Sequence, residues 1–304
     1  MSENAIHVHA AGAATGTPSL SLAAGPSALH TTLLMARITF LEAARRKILW
    51  IATLAGVVFL AFFWTALHFV LKNAVRQANT VSLREGIVMM TLMVLYAGSM
   101  MTSLMSVLTS CDTLSGEIAS GTIHAIATKP VQRWCLVLGK WVGFVGMFTL
   151  YVSLIEGGTI LLSWLQSGYL PHHALAVLTL VWLQAIVLLG VTMAASTCFS
   201  SLTSGAVSLG LYGLAFVGGW IEQYGALRHV PALVDMGILS SLIMPCDALW
   251  RRAAFVFQPP LIGSVGASPF GSSLVPSNAM VIYAALYAVL AILLAEVLFS
   301  RRDL

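Results

Sequence analysis

Charged residues are scarce in this chain. Asp, Glu, Lys and Arg make up 9% of its 304 residues while 59% are hydrophobic, whereas soluble domains carry roughly a quarter charged residues. A water-soluble core cannot absorb that imbalance. Cysteine is nearly as sparse: Cys111, Cys135, Cys198 and Cys246 stand far apart, mostly in or beside apolar stretches. That spacing excludes a CxxC metal pair and a disulfide framework, so free thiols are expected. HExxH, GxSxG and paired aspartates within apolar runs are all missing, which removes the usual intramembrane enzyme constellations. GxxxxGK[ST] is missing too. Gly139-Lys140 is followed by Trp141, and Trp134 stands where the first glycine would be needed, so this chain has no loop to cradle a nucleotide phosphate.

Residues 1–29 contain no Lys or Arg and no apolar stretch long enough for a signal-peptide core. A disordered cytosolic tail is expected there, with His7 and His9 incidental. The net charge of +4 and pI near 9.0 do not point to nucleic acid, because the basic residues flank apolar runs instead of forming a stripe with interleaved aromatics. No internal repeat is visible.

What is present is a series of long apolar runs. With no water in the hydrocarbon core a spanning segment must satisfy its own backbone, and an α-helix of about 20 apolar residues does so. Six stretches qualify: 48–71, 86–110, 141–166, 174–198, 205–221 and 279–298, the fifth shorter and glycine-rich. The expected fold is all-α, a single membrane domain over 30–304. Arg37, Arg45, Arg46 and Lys47 precede the first span, Lys129, Arg133 and Lys140 lie between the second and third, and Arg301 and Arg302 follow the last. By the positive-inside rule that side, with both termini, is cytoplasmic. Lys72, Arg76 and Arg84 on the opposite side oppose the bias.

Residues 33–47 place apolar side chains on one helical face, which suits a helix in the cytoplasmic interface or an extension of the first span into water. Residues 223–278 are mixed. A short apolar run, 238–244, stops at Pro245, and 248–257 carries Arg251 and Arg252 inside it. Neither piece is long enough to cross the bilayer, so re-entrant or interfacial helices on the outer side are expected, then a Pro, Gly and Ser-rich connector over 258–278.

The polar segment 111–140, CDTLSGEIASGTIHAIATKPVQRWCLVLGK, is strongly punctuated. Asp112 or Ser115 suits the cap of a short helix, Gly121 its end, and Pro130 breaks any element running on from Lys129. A helix lying across the membrane end is shaped to dock in a groove of another protein.

Glu117, then Ser120-Gly121-Thr122, Lys129-Pro130, Arg133 and Gly139-Lys140 resemble, in order and spacing, the segment after the second span of ABC-2 type permeases, including the NosY-like branch. Phe40-Leu41-Glu42-Ala43 with Arg45-Arg46, and the ending Phe299-Ser300-Arg301-Arg302-Asp303-Leu304, extend the likeness over the chain from about Ala36. The resemblance implies an inner-membrane permease subunit, most naturally an exporter, paired with a second copy or a paralogue. It implies a separate cytosolic ABC ATPase subunit that carries the ATP and Mg, with no cofactor and no metal held by this chain. Glu117, Ser120, Gly121, Thr122, Lys129, Pro130 and Arg133 would then couple to the ATPase, transmitting its closure as a rigid-body shift. The plain alternative is a solvated loop whose charges only set topology.

Glu156 stands mid-span, followed by Gly157-Gly158, where a carboxylate is costly unless neutral, paired or wet. It suits a translocation path or a cationic substrate. Equally it suits a neutral carboxyl bonded to a neighbouring helix, through Gln184 or His68. Met89, Met90, Met93, Met100, Met101 and Met105 point in several directions around the second span, as core packing does. His172-His173 fits an outer turn. Two other functions stay open: a scaffold or biogenesis subunit passing ATPase motion to an extracytoplasmic partner through 223–278, and an ion-coupled secondary transporter using Glu156.

Overall fold

The computed structural model describes residues 28–75, 80–116, 133–171, 173–258 and 275–301, and among these the chain forms helices and no strands. The order is α1 (Ala28–Arg45), α2 (Lys47–Val75), α3 (Thr80–Ser110), α4 (Arg133–Val152), a π-helical turn (Ser153–Gly157) and α5 (Gly158–Ser167). There follow α6 (Ala174–Cys198), α7 (Ser201–Arg228), α8 (Pro231–Ile243), α9 (Cys246–Phe257) and α10 (Asn278–Ser300). Ala28 and Leu29, expected in the tail, already belong to α1; the rest of that tail lies outside the described residues.

Among the described residues six helical segments are long and apolar enough to cross a membrane: Lys47–Asn73, Leu83–Ser110, Trp134–Ser167, Ala174–Cys198, Ser201–Arg228 and Asn278–Ser300. They are the six expected, with two differences of extent. The glycine-rich fifth is a full 28-residue helix, because its polar end residues, Glu222 among them, break the apolar run without breaking the helix. His229 then ends it in the left-handed conformation, φ 54°, and Pro231 opens α8 at a position where its missing N–H costs nothing. The third span begins earlier, in α4, and is interrupted by the π turn, a feature that apolar periodicity does not report.

α6 forms the centre, with most of its residues buried and packing against α3, α4, α7, α9 and α10. α2 is peripheral. Trp50, Ile51, Leu54, Val58 and Phe62 are exposed on it, a face suited to hydrocarbon and not to water.

α1 is a helix separate from α2, broken at Arg46, and it lies along α4 with Ala36, Thr39 and Ala43 buried. Glycine on α4 permits the approach: a Cβ at Gly143 would stand 2.7 Å from the Ala36 carbonyl oxygen, and one at Gly139 3.0 Å from that of Thr32. Small residues four apart let two helix backbones come this close.

α8 and α9 have 13 and 12 residues and meet at a bend of 106°. At the bend, the Cys246 thiol lies 3.8 Å from the Gln184 carbonyl oxygen, well inside α6. The Tyr283 and Tyr287 hydroxyls of α10 donate to the carbonyls of Leu242 and Ile243. The far end of α9 returns to Tyr169, in the turn before α6, whose hydroxyl donates to the Phe257 carbonyl at 3.5 Å. The pair enters and leaves on the side opposite segment 111–140. The bend lies against α6 and α10, and the Tyr283 and Tyr287 hydroxyls serve carbonyls freed at the break.

Candidate functional site

Of the residues expected to couple to an ATPase, Glu117, Ser120, Gly121, Thr122, Lys129 and Pro130 lie outside the described residues. Arg133 opens α4, and its side chain also lies outside them. Both roots of the segment, 111–116 and 134–140, are described, and they are joined to each other and to three helices.

Lys140, 7% exposed in α4, donates from Nζ to the Thr113 carbonyl oxygen at 3.0 Å. A buried ammonium needs an acceptor, and this one closes the segment's two ends on one another. On the neighbouring side the Ser201 hydroxyl, at the first residue of α7, donates to Asp112 Oδ1 at 2.7 Å, and Ser201 and Ser115 hydroxyls lie 2.9 Å apart. The Ser204 hydroxyl donates to the Cys111 carbonyl at 3.0 Å. Asp112 Oδ2 faces Arg46 Nη1 at 3.8 Å, and Arg46 also holds Glu42 through Nη2 at 3.0 Å. The short helix that Asp112 or Ser115 is expected to cap runs into residues outside those described; the Asp112 carboxylate stands at the start of α7, where the helix's positive end favours a negative charge.

The set ties the root at 111–116 to α4 through Lys140, to α7 through Ser201 and Ser204, and to the α1–α2 corner through Arg46. Ser201 and Ser204 carry no signal in the sequence beyond the ordinary preference of serine for helix starts.

Glu156 lies in the π turn, fully enclosed, and neither of its carboxyl oxygens has a hydrogen-bond partner among the described residues. Opposite it, a Cβ at Gly98 of α3 would stand 2.8 Å from Oε1, so glycine makes the room the carboxyl occupies. Neither expected partner reaches it. Gln184 donates to the Ser103 hydroxyl at 2.9 Å, and His68 is exposed beside Phe69. π-helical turns inside α-helices recur at functional sites; Glu156 is not among the residues lining the cavity between α3, α6, α7 and α9. The described residues hold no cluster of three or more His, Cys, Asp or Glu side chains able to ligate a metal.

Comparison with known proteins adds the family. No curated protein matches the chain. The family described as "ABC-2 family transporter protein" matches residues 33–304, from within α1 to the last residue, and so takes in both roots of the 111–140 segment and the bent pair α8–α9. The chain belongs to the ABC-2 transporter family, as a membrane protein with six candidate spans.

Proposed function

We propose that this chain is the membrane-spanning permease subunit of an ATP-driven exporter, and that segment 111–140 couples it to a separate cytosolic ATPase which carries the ATP and Mg. The observation that supports this most is the anchoring of both roots of the segment: Lys140 to Thr113, Asp112 to Ser201 and Arg46. A loop that only set topology would need charge and no such clasp. Anchored at both roots, the stretch carrying Glu117, Ser120, Gly121, Thr122, Lys129 and Pro130 acts as a handle on three helices at once, and packed elements respond to such a handle by rigid-body shift.

In this reading the subunit works in the inner membrane, in contact with lipid, with both termini cytoplasmic and paired with a second copy or a paralogue. The order of Glu117, Lys129-Pro130 and Arg133 supports the NosY-like branch. The chain itself holds no nucleotide, no metal and no nucleic acid.

The test is charge reversal at the handle. Glu117→Arg is expected to abolish co-purification of the ATPase, or to leave it bound with its hydrolysis no longer stimulated. Unchanged binding and unchanged stimulation would remove Glu117 from the coupling role.

A further inference from the structure

The bent pair α8–α9 carries a charged cluster that the coupling role does not use. Arg251 of α9 is 3% exposed and faces two carboxylates. Its Nη2 donates to Glu222 Oε2 of α7 at 2.8 Å, and its Nε stands 2.9 Å from Asp247 Oδ2, one turn back on α9. The second is a charge pair without hydrogen-bond alignment, since neither atom has a hydrogen-bond partner. Ser241 of α8 adds an oxygen 3.2 Å from Nη2. Glycines press these groups together: a Cβ at Gly219 would overlap the Asp247 carboxylate, and one at Gly237 would overlap Glu222.

Two carboxylates and one guanidinium leave one negative charge in excess, in a place enclosed by spans. An uncompensated buried charge is costly, more so where hydrocarbon surrounds the helices. Beside Asp247 lies a cavity of about 10 Å3 between α3, α6, α7 and α9, room for one water-sized species. Gln184 of α6 lines it. Only 2% exposed, it spends its side-chain N–H on the Ser103 hydroxyl and leaves its side-chain oxygen Oε1 without a partner. Tyr96, Ser99, Tyr212, Phe216 and Trp250 complete the lining. An unpaired carbonyl oxygen, an over-negative charge cluster and a void of one-ion size meet at one point.

We propose that this point binds a single monovalent positive charge, either as a proton on Asp247 or as an alkali-metal ion held between Asp247 and Gln184. The titratable groups facing Asp247 among the described residues are Glu222 and Tyr212 of α7, Tyr96 of α3, and Cys246 and Arg251 of α9. Of these only Glu222 and Arg251 enter the charge count. The site is independent of the ATPase-coupling reading, because its failure would leave the clasp at Thr113 and Lys140 untouched.

The test is thermal unfolding of the full chain in detergent, followed by tryptophan fluorescence. Wild type is compared from about pH 6 to about pH 9.5, in choline chloride and in NaCl or KCl of equal ionic strength. A native state that holds one extra cation is stabilised by mass action as that cation is supplied. Tm is therefore expected to rise by several degrees on acidification, on adding alkali ion at the alkaline end, or both. Asp247→Asn and Glu222→Gln each balance Arg251 without a ligand, and each is expected to lose the response. Gln184→Leu separates the two sources: loss of an alkali-ion response with the acid response kept places the metal ion in the cavity, while an acid response alone in wild type assigns the proton. If either carboxylate variant fails to fold, the other and the wild-type profiles decide. A wild-type Tm indifferent to both alkali ion and pH overturns the proposal, and so does a response that persists in the carboxylate variants.

Discussion

The ammonium of Lys140 and the carbonyl oxygen of Thr113 lie 3.0 Å apart, so the two roots of the segment that leaves the bundle after α3 are held by one charged hydrogen bond. Lys140→Met keeps the length and apolar stem of the side chain and removes the charge. A hydrogen bond to a charged group contributes about 1.5–3 kcal/mol, so a loss of that order is expected in unfolding experiments. Stimulation of the partner ATPase should fall by more than ATPase binding does, because the handle stays attached while its root is loosened. Stimulation unchanged in a folded Lys140→Met protein would show that the clasp carries no motion.

Asp112 and Arg46 are a different case. Their side chains are 51% and 28% exposed, and an ion pair so placed contributes less than about 1 kcal/mol to stability. Asp112→Ala is expected to leave Tm nearly unchanged while lowering ATP-driven transport, since it unties α7 and the α1–α2 corner from the segment. Transport and stability measured on the same preparation separate the two effects. A large drop in Tm with transport per folded molecule intact would make the network purely structural.

Gly143 sits in the close contact between α1 and α4. A Gly143→Val side chain would meet the Ala36 carbonyl and Thr39, and overpacking of this kind costs about 1–3 kcal/mol. Cysteine crosslinking between α1 and α4 should weaken in parallel with thermal stability. Full crosslinking and unchanged Tm would contradict the close helix contact.

Among the described residues Glu156 has no partner that a charge would need, so Glu156→Gln is expected to fold and to transport close to wild type. Gly98→Val, which fills the carboxyl's space, is expected to be the more damaging change, readable as reduced yield and Tm. Loss of transport in a well-folded Glu156→Gln protein would instead put the carboxyl on the translocation path.

The six spans were legible because hydrocarbon imposes a length and a composition that windowed hydropathy reads directly. The bend at Pro245 was legible from proline chemistry, and the depth to which it reaches was not, since that depth depends on contacts with Gln184 and Tyr287, far away in sequence. The charge cluster shows the same divide. Asp247 and Arg251, one turn apart on a helix, form a spacing any sequence displays, while the partner Glu222 comes from another span and is found only in three dimensions. Glu156 was visible as an isolated charge in an apolar run. Its π turn and its glycine counterpart Gly98 were not, because neither leaves a periodic trace.

The most direct measurement is purification of the tagged full chain in mild detergent, with mass spectrometry of the proteins that accompany it and an assay of ATP hydrolysis. A stoichiometric ATPase bearing a GxxxxGK[ST] loop, with hydrolysis that Glu117→Arg uncouples, is the expected result. A chain that retains no ATPase under conditions preserving complexes, and whose transport survives ATP depletion, would contradict the permease reading.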